Sequence, residues 1–171
     1  TSAKRSAGGI GGAVSFKTKS ADDYLRGSKV EYYGGKVGYD SADRSWNESV
    51  TAAGRSGNLD GLVSYSRRDG HATRNNSDIV DSMPNEWDSD ALLLKGALRI
   101  DAANRLELSA DFYRRTNDTS FHGWDTNSTF ITENSQQHSK TARNTVQLTH
   151  QWRPNNSWAD EADSRLYFQS T

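Results

Sequence analysis

Four histidines hold most of the coordination chemistry open to this chain: His71, His122, His138 and His150. Neutral imidazole ligates iron, that of haem included, and aromatic rings beside it can cover a flat ligand. His122 has that setting, with Phe121 before it and Trp124 two residues on. His71 follows Arg67 and Arg68, and Arg74 lies just beyond. Guanidinium forks there could take carboxylates or another anion through charge-assisted bonds. The candidate ligand-binding set is therefore His122, His71, Phe121, Trp124, Arg67 and Arg68. Each also has a plainer reading: a solvated loop residue, or for the arginines a contact with lipopolysaccharide phosphates. Asp78, Asp81, Glu86, Asp88 and Asp90 offer oxygens of the kind calcium takes, but without the spacing of a calcium loop they read as solvated acids.

Other chemistries find less support. The glycines Gly8, Gly9, Gly11 and Gly12 do not make a phosphate loop, because Lys17-Thr18 comes too late after Gly12. They read as tight backbone packing. No nucleophile elbow accompanies the serines, and the paired acids Asp22 and Asp23 have no apolar pocket to raise a pKa. No enzyme is expected, and no catalytic cofactor. The 171 residues contain no cysteine, which excludes disulfides and thiolate metal sites. With 21 basic and 22 acidic residues, charge gives no reason to expect nucleic acid as a partner.

The elements that must position these residues are strands. Leu106, Leu108, Ala110 and Phe112 alternate with Glu107, Ser109, Asp111 and Tyr113. A period of two means strand, and about ten residues cross a bilayer at a tilt. The chain is polar, with 33% hydrophobic residues and a mean hydropathy of -0.91. Its aromatic content of 10% and orderly alternation argue against disorder. A barrel wall with one wet face accounts for the polarity. Short turns on one side and long polar loops on the other point the same way, to an antiparallel transmembrane β-barrel. A soluble β-sandwich also has period-two strands but no such asymmetry of connections.

Seven strands are expected: 28–39, 44–55, 61–68, the pair 92–100 and 105–113, 142–152, and one opening at Leu166. Val30 and Tyr32 share one parity, Val37 and Tyr39 the other, which suggests a bulge or kink at Gly34-Gly35. Long polar loops are expected over Asp69–Asp90 and Thr116–Thr141, placing His122 and His138 in the second. His150, in phase with Val146 and Leu148, is expected near an interface. Trp46, Trp87, Trp124, Trp152 and Trp158, with several tyrosines, read as aromatic girdles. An open seven-stranded edge is not viable in lipid, so the wall is expected to be part of a larger barrel. Thr1 to Gly12 holds no signal-peptide hydrophobic region, as in a mature chain or a fragment.

The run from Ala7 to Lys19, with its Gly-Gly-Ile-Gly-Gly centre, followed by Ser20-Ala21-Asp22-Asp23-Tyr24-Leu25, resembles a particular junction. It is the end of the plug and entry to the barrel in TonB-dependent outer-membrane receptors, most closely the branch that takes iron from haem, haemoglobin, transferrin or lactoferrin. Ala53 to Gly57, Tyr65 to Gly70 and Leu94 to Asp101 resemble early barrel strands of that branch. The resemblance implies a 22-stranded barrel filled by an N-terminal plug, with residues 1–19 ending the plug, 20–27 a connector and 28–171 the first seven strands. It implies a multi-pass protein of the outer membrane that binds a haem protein or haem as transported ligand. It also implies energy through TonB and contact with outer-membrane lipid and lipopolysaccharide. No TonB box and no later loop motif with a haem-binding histidine occur in these residues. A ferric-siderophore receptor is the rival of the same architecture, and a passive porin or adhesin barrel the rival of another class.

Overall fold

A computed structural model of the chain describes residues 18–73, 85–122, 134–154 and 160–171, with residues 121, 122, 134 and 135 described by backbone alone. A short helix, α1 (Ala21–Tyr24), precedes β1 (Glu31–Asp40), β2 (Ser45–Ser56), β3 (Leu59–Gly70), β4 (Asn85–Arg99), β5 (Asn104–His122), β6 (Asn134–Trp152) and β7 (Ala162–Ser170). The strands form one sheet in sequence order, each antiparallel to the next. The protein is thus all-β, and the meander fits part of a β-barrel wall. Among the described residues no helix is long and apolar enough to cross a membrane.

The β2–β3, β4–β5 and β6–β7 connections leave and re-enter the sheet at one end, the turn end. Gly57 there takes a φ of 56°, which a tight hairpin turn requires and glycine adopts freely. Asp101 closes the next turn, accepting from the backbone N–H groups of Ala103 at 2.8 Å and Asn104 at 2.7 Å. The β1–β2, β3–β4 and β5–β6 connections leave and re-enter the sheet at the opposite, loop end. The first of them is short, so the alternation of short and long connections begins only after β2.

Register divides the side chains between two faces. The face on which α1 lies, the inner face, carries Ser64, Lys95, Ser109, Gln147 and similar polar residues around a small core. That core is Ala21, Leu25, Ala53 and Leu62, with Tyr24, Tyr32 and Leu93 against it. The outer face carries Val50, Val63, Leu94, Leu98, Leu108, Phe112, Val146, Leu166 and Phe168, all exposed. A core this small cannot hold a sheet of this size, since a fully buried large apolar side chain contributes only about 1.5–3 kcal/mol. The larger apolar surface faces outward, the reverse of a water-soluble sheet and the pattern a hydrocarbon surrounding stabilises.

Three sequence expectations change. First, β1 pairs with β2 one-to-one from Glu31↔Gly54 to Asp40↔Ser45, without a bulge at Gly34-Gly35. The parity shift has another cause. Tyr32 turns inward to Tyr24, ring centroids 4.7 Å apart, while Tyr33, Val37 and Tyr39 face outward, exposed. Gly34 makes room for this, because a Cβ there would come within 2.8 Å of the Tyr32 ring. Second, the loop expected over Asp69–Asp90 is shorter, because β3 reaches Gly70 and β4 begins at Asn85. Third, most of the loop expected over Thr116–Thr141 is strand, paired from Thr116↔Lys140 to His122↔Asn134. These residues are polar on both faces and lack a hydrophobic period. Cross-strand pairs support them instead, such as the contact between His138 Nδ1 and Asp118 on the outer face.

Candidate functional site

At the loop end of the inner face, Arg68 of β3 and Arg115 of β5 both pair with Ser89 of β4, which is buried between them. Two residues along β4 on the same face stands Trp87, flanked by Gly70 and Asn117. Gly70 makes this position possible, because a Cβ there would meet Trp87 Cζ2 at 2.8 Å and Ser45 Cβ at 2.9 Å. The indole is covered by two guanidiniums, with Arg115 Cζ 4.7 Å and Arg68 Cζ 5.6 Å from its ring. Such cation–π contacts hold a guanidinium near the ring while its N–H groups can still donate to an anion. One row further down, Arg143 lies 5.8 Å over the Tyr113 ring and 3.4 Å from Asp111.

A second polar assembly sits at the turn end of the same face. Asp60, 1% exposed, accepts from Arg55 Nε at 2.6 Å and Arg99 Nη2 at 2.6 Å, with Arg105 at 3.8 Å. Asp22 of α1 meets the same three arginines: Arg105 at 2.9 Å, Arg99 at 3.4 Å, and Arg55 in direct contact. Lys95 donates to the Thr18 carbonyl at 3.1 Å and pairs with Glu107 at 3.5 Å. Three strands thus fasten the connector through one helical carboxylate. Asp23 reaches back to accept the Ser20 backbone N–H at 2.7 Å, closing the start of α1.

The sequence candidates distribute unequally over this geometry. Arg67 and Arg68 are neighbours in sequence but point to opposite faces. Arg67 faces outward to Asp90 at 3.3 Å, a carboxylate that also takes the Tyr65 hydroxyl at 2.6 Å and Arg114 at 3.3 Å. His71 follows β3, its backbone N–H donating to the Asp43 carbonyl at 2.9 Å and its Nδ1 lying 3.8 Å from Glu86. Phe121 and His122 end β5 at the loop end; Trp124, Arg74, Asp78 and Asp81 lie outside the described residues. His138 stands in β6, and His150 Nε2 lies 3.0 Å from Asn104 Oδ1 near the turn end of the outer face. Among the described residues no group of three acids, histidines or cysteines is placed to hold a metal ion.

Sequence reasoning missed Trp87 and Arg115 as partners of Arg68. In sequence Trp87 reads with the interface aromatics, of which Tyr39 and Trp46 do meet on the outer face, 5.1 Å apart. The signal was available in parity. Trp87 is in phase with Leu93 and Lys95, not with the outward Leu92 and Leu94. In the adjoining turn, Asp43 is held below the usual carboxylate range, chiefly by hydrogen bonding from Ser45, with the Arg68 charge adding to it.

An all-β meander with an apolar outer face, a polar inner face and a docked connector defines a wall of the barrel type. No family model matches the chain. It is similar to hemoglobin-haptoglobin utilization protein B of Neisseria meningitidis serogroup C, 43% identical over 76 residues, 44% of this chain and 9% of that protein. The hemoglobin and hemoglobin-haptoglobin-binding protein of Haemophilus ducreyi is 35% identical over 120 residues, 64% of this chain and 12% of that protein. Hemoglobin-haptoglobin-binding protein A of Haemophilus influenzae is 32% identical over 126 residues, 67% of this chain and 12% of that protein. The chain therefore spans about a tenth of the length of the curated relatives it matches.

Proposed function

We propose that this chain is part of the wall of an outer-membrane receptor that binds haemoglobin or its haptoglobin complex and imports the haem, energised through TonB. The observation that carries this is the two-faced wall: apolar side chains outward along the sheet, polar ones inward with the α1 connector fastened among them. The likeness to proteins named for binding haemoglobin and its haptoglobin complex supplies the ligand class. In this reading the wall closes into a 22-stranded barrel, residues 1–19 end its plug, and residues 20–27 lead from plug to wall. The outer face meets lipid, with Arg67, Arg114 and Lys140 at lipopolysaccharide height. The loop end is extracellular. His122 and His71, with Phe121 and Trp124, contact the incoming haem there, and Arg68 meets it from inside.

Growth tests the function. A strain lacking the intact gene should lose growth on haemoglobin as sole iron source, retain growth on ferric siderophores, and behave like a tonB deletion in the first respect. The reverse pattern would assign a siderophore receptor, and growth unaffected by tonB a passive barrel. Orientation is tested by cysteines at Ala42 and Ala102. Label added to whole cells should reach the first and not the second.

A further inference from the structure

We infer that the Arg68–Trp87–Arg115 shelf is a second, inner-wall station that binds the carboxylate pair of a porphyrin after it leaves the loops. This rests on the haem-receptor reading above. The inner-face arginines Arg55, Arg99, Arg105, Arg143 and Arg165 each face a carboxylate within 4 Å. Among the described residues, Arg68 and Arg115 alone of the inner-face strand arginines have no such partner. Asp43 feels the Arg68 charge only from beyond ion-pair distance.

The two cations are nonetheless held in place. Both lie over one indole, at 4.7 and 5.6 Å, and that indole is itself seated on Gly70. The contact with the ring leaves guanidinium N–H groups available to an anion. Their strands are separated by β4, so the two backbones stand about 10 Å apart across the sheet. Two forks carried by strands on either side of β4 and converging on one indole suit a ligand with two carboxylates on one edge better than a single compact anion. A porphyrin has that form, with its two carboxylates on one edge of the ring. Arginine rather than lysine is needed, because only the planar fork both stacks and binds a carboxylate through two N–H groups.

The intact protein, purified in detergent, would be titrated with iron protoporphyrin IX and with its dimethyl ester, following the Soret band. The ester keeps the ring and iron but lacks both charges. The unmodified protein should prefer the free acid. R68Q and R115Q should each weaken free-acid binding about tenfold, leave ester binding unchanged, and together abolish the preference. R68K/R115K should restore little of it. Haemoglobin bound by the same preparations shows that each variant is folded. An unaltered preference in R68Q/R115Q, with haemoglobin and porphyrin both bound, would overturn the shelf and leave the receptor reading standing. Failure of the unmodified protein to bind haemoglobin or porphyrin would overturn both.

Discussion

Replacing Asp60 by asparagine tests whether the turn-end assembly carries as much stability as its geometry implies. The change preserves shape, removes the charge and turns one acceptor into a donor beside Arg55 Nε or Arg99 Nη2, both now at 2.6 Å. Removing one partner of a buried ion pair typically costs about 3–5 kcal/mol. Two features reduce that here. The arginine side chains are 24%, 36% and 20% exposed, so water screens part of the charge left behind. Asp22 also remains in place against all three. We expect a loss of about 2–3 kcal/mol for D60N. Asp22 itself is 44% exposed, so D22N should cost no more than about 1 kcal/mol. Because the two acids share their partners, the double variant should exceed the sum of the singles by about 1 kcal/mol. Denaturant titration of the intact protein in lipid vesicles, read by tryptophan fluorescence, gives all three numbers. A D60N variant within 0.5 kcal/mol of the parent, an error-sized change for a surface position, would refute the assignment of Asp60 as the buried hub.

The faces of the wall are tested by L108R, outward in mid-belt, which should destabilise by about 2–4 kcal/mol in a vesicle folding titration. The adjacent S109R, on the inner face, should cost much less, and equal costs would remove the barrel assignment. G70A places a methyl group against Trp87 and Ser45 and should destabilise by about 1–3 kcal/mol. A shift in the Trp87 emission, read against a W87F control, should accompany it. Asp101 is held below the usual aspartate range, first by its side-chain bond with Asn104 and then by backbone bonds from Ala103 and Asn104. A lowered folded pKa stabilises above the ordinary value of 3.8 and loses that contribution as pH falls below it through the folded value. D101N should therefore flatten the acid limb of the stability profile below pH 3.8 and leave its alkaline side unchanged.

Alternation alone determined that this chain is strand, that Leu94, Leu98, Leu106, Leu108, Val146 and Leu148 share the outer face, and that Ser109 and Gln147 share the inner one. Side-chain direction in a strand has a period of two, so parity is readable wherever one face is apolar. Where neither face carries an apolar period, as from Thr116 to Ser120 and from Gln136 to Thr141, that signal vanishes, and pairing with a neighbour decides that the residues extend in β5 and β6. Parity also misled at Gly34, because a single inward tyrosine beneath α1 looked like a change of phase. The assemblies on the inner wall belong wholly to tertiary structure. Asp22, Arg55, Asp60, Arg99 and Arg105 come from a helix and four strands, and Arg68, Trp87 and Arg115 from three strands. Register between strands is set by turns and long-range packing, so no local pattern announces which charges meet. The same cause separates Arg67 from Arg68. Adjacent in sequence and alike in chemistry, they are divided by the thickness of the sheet.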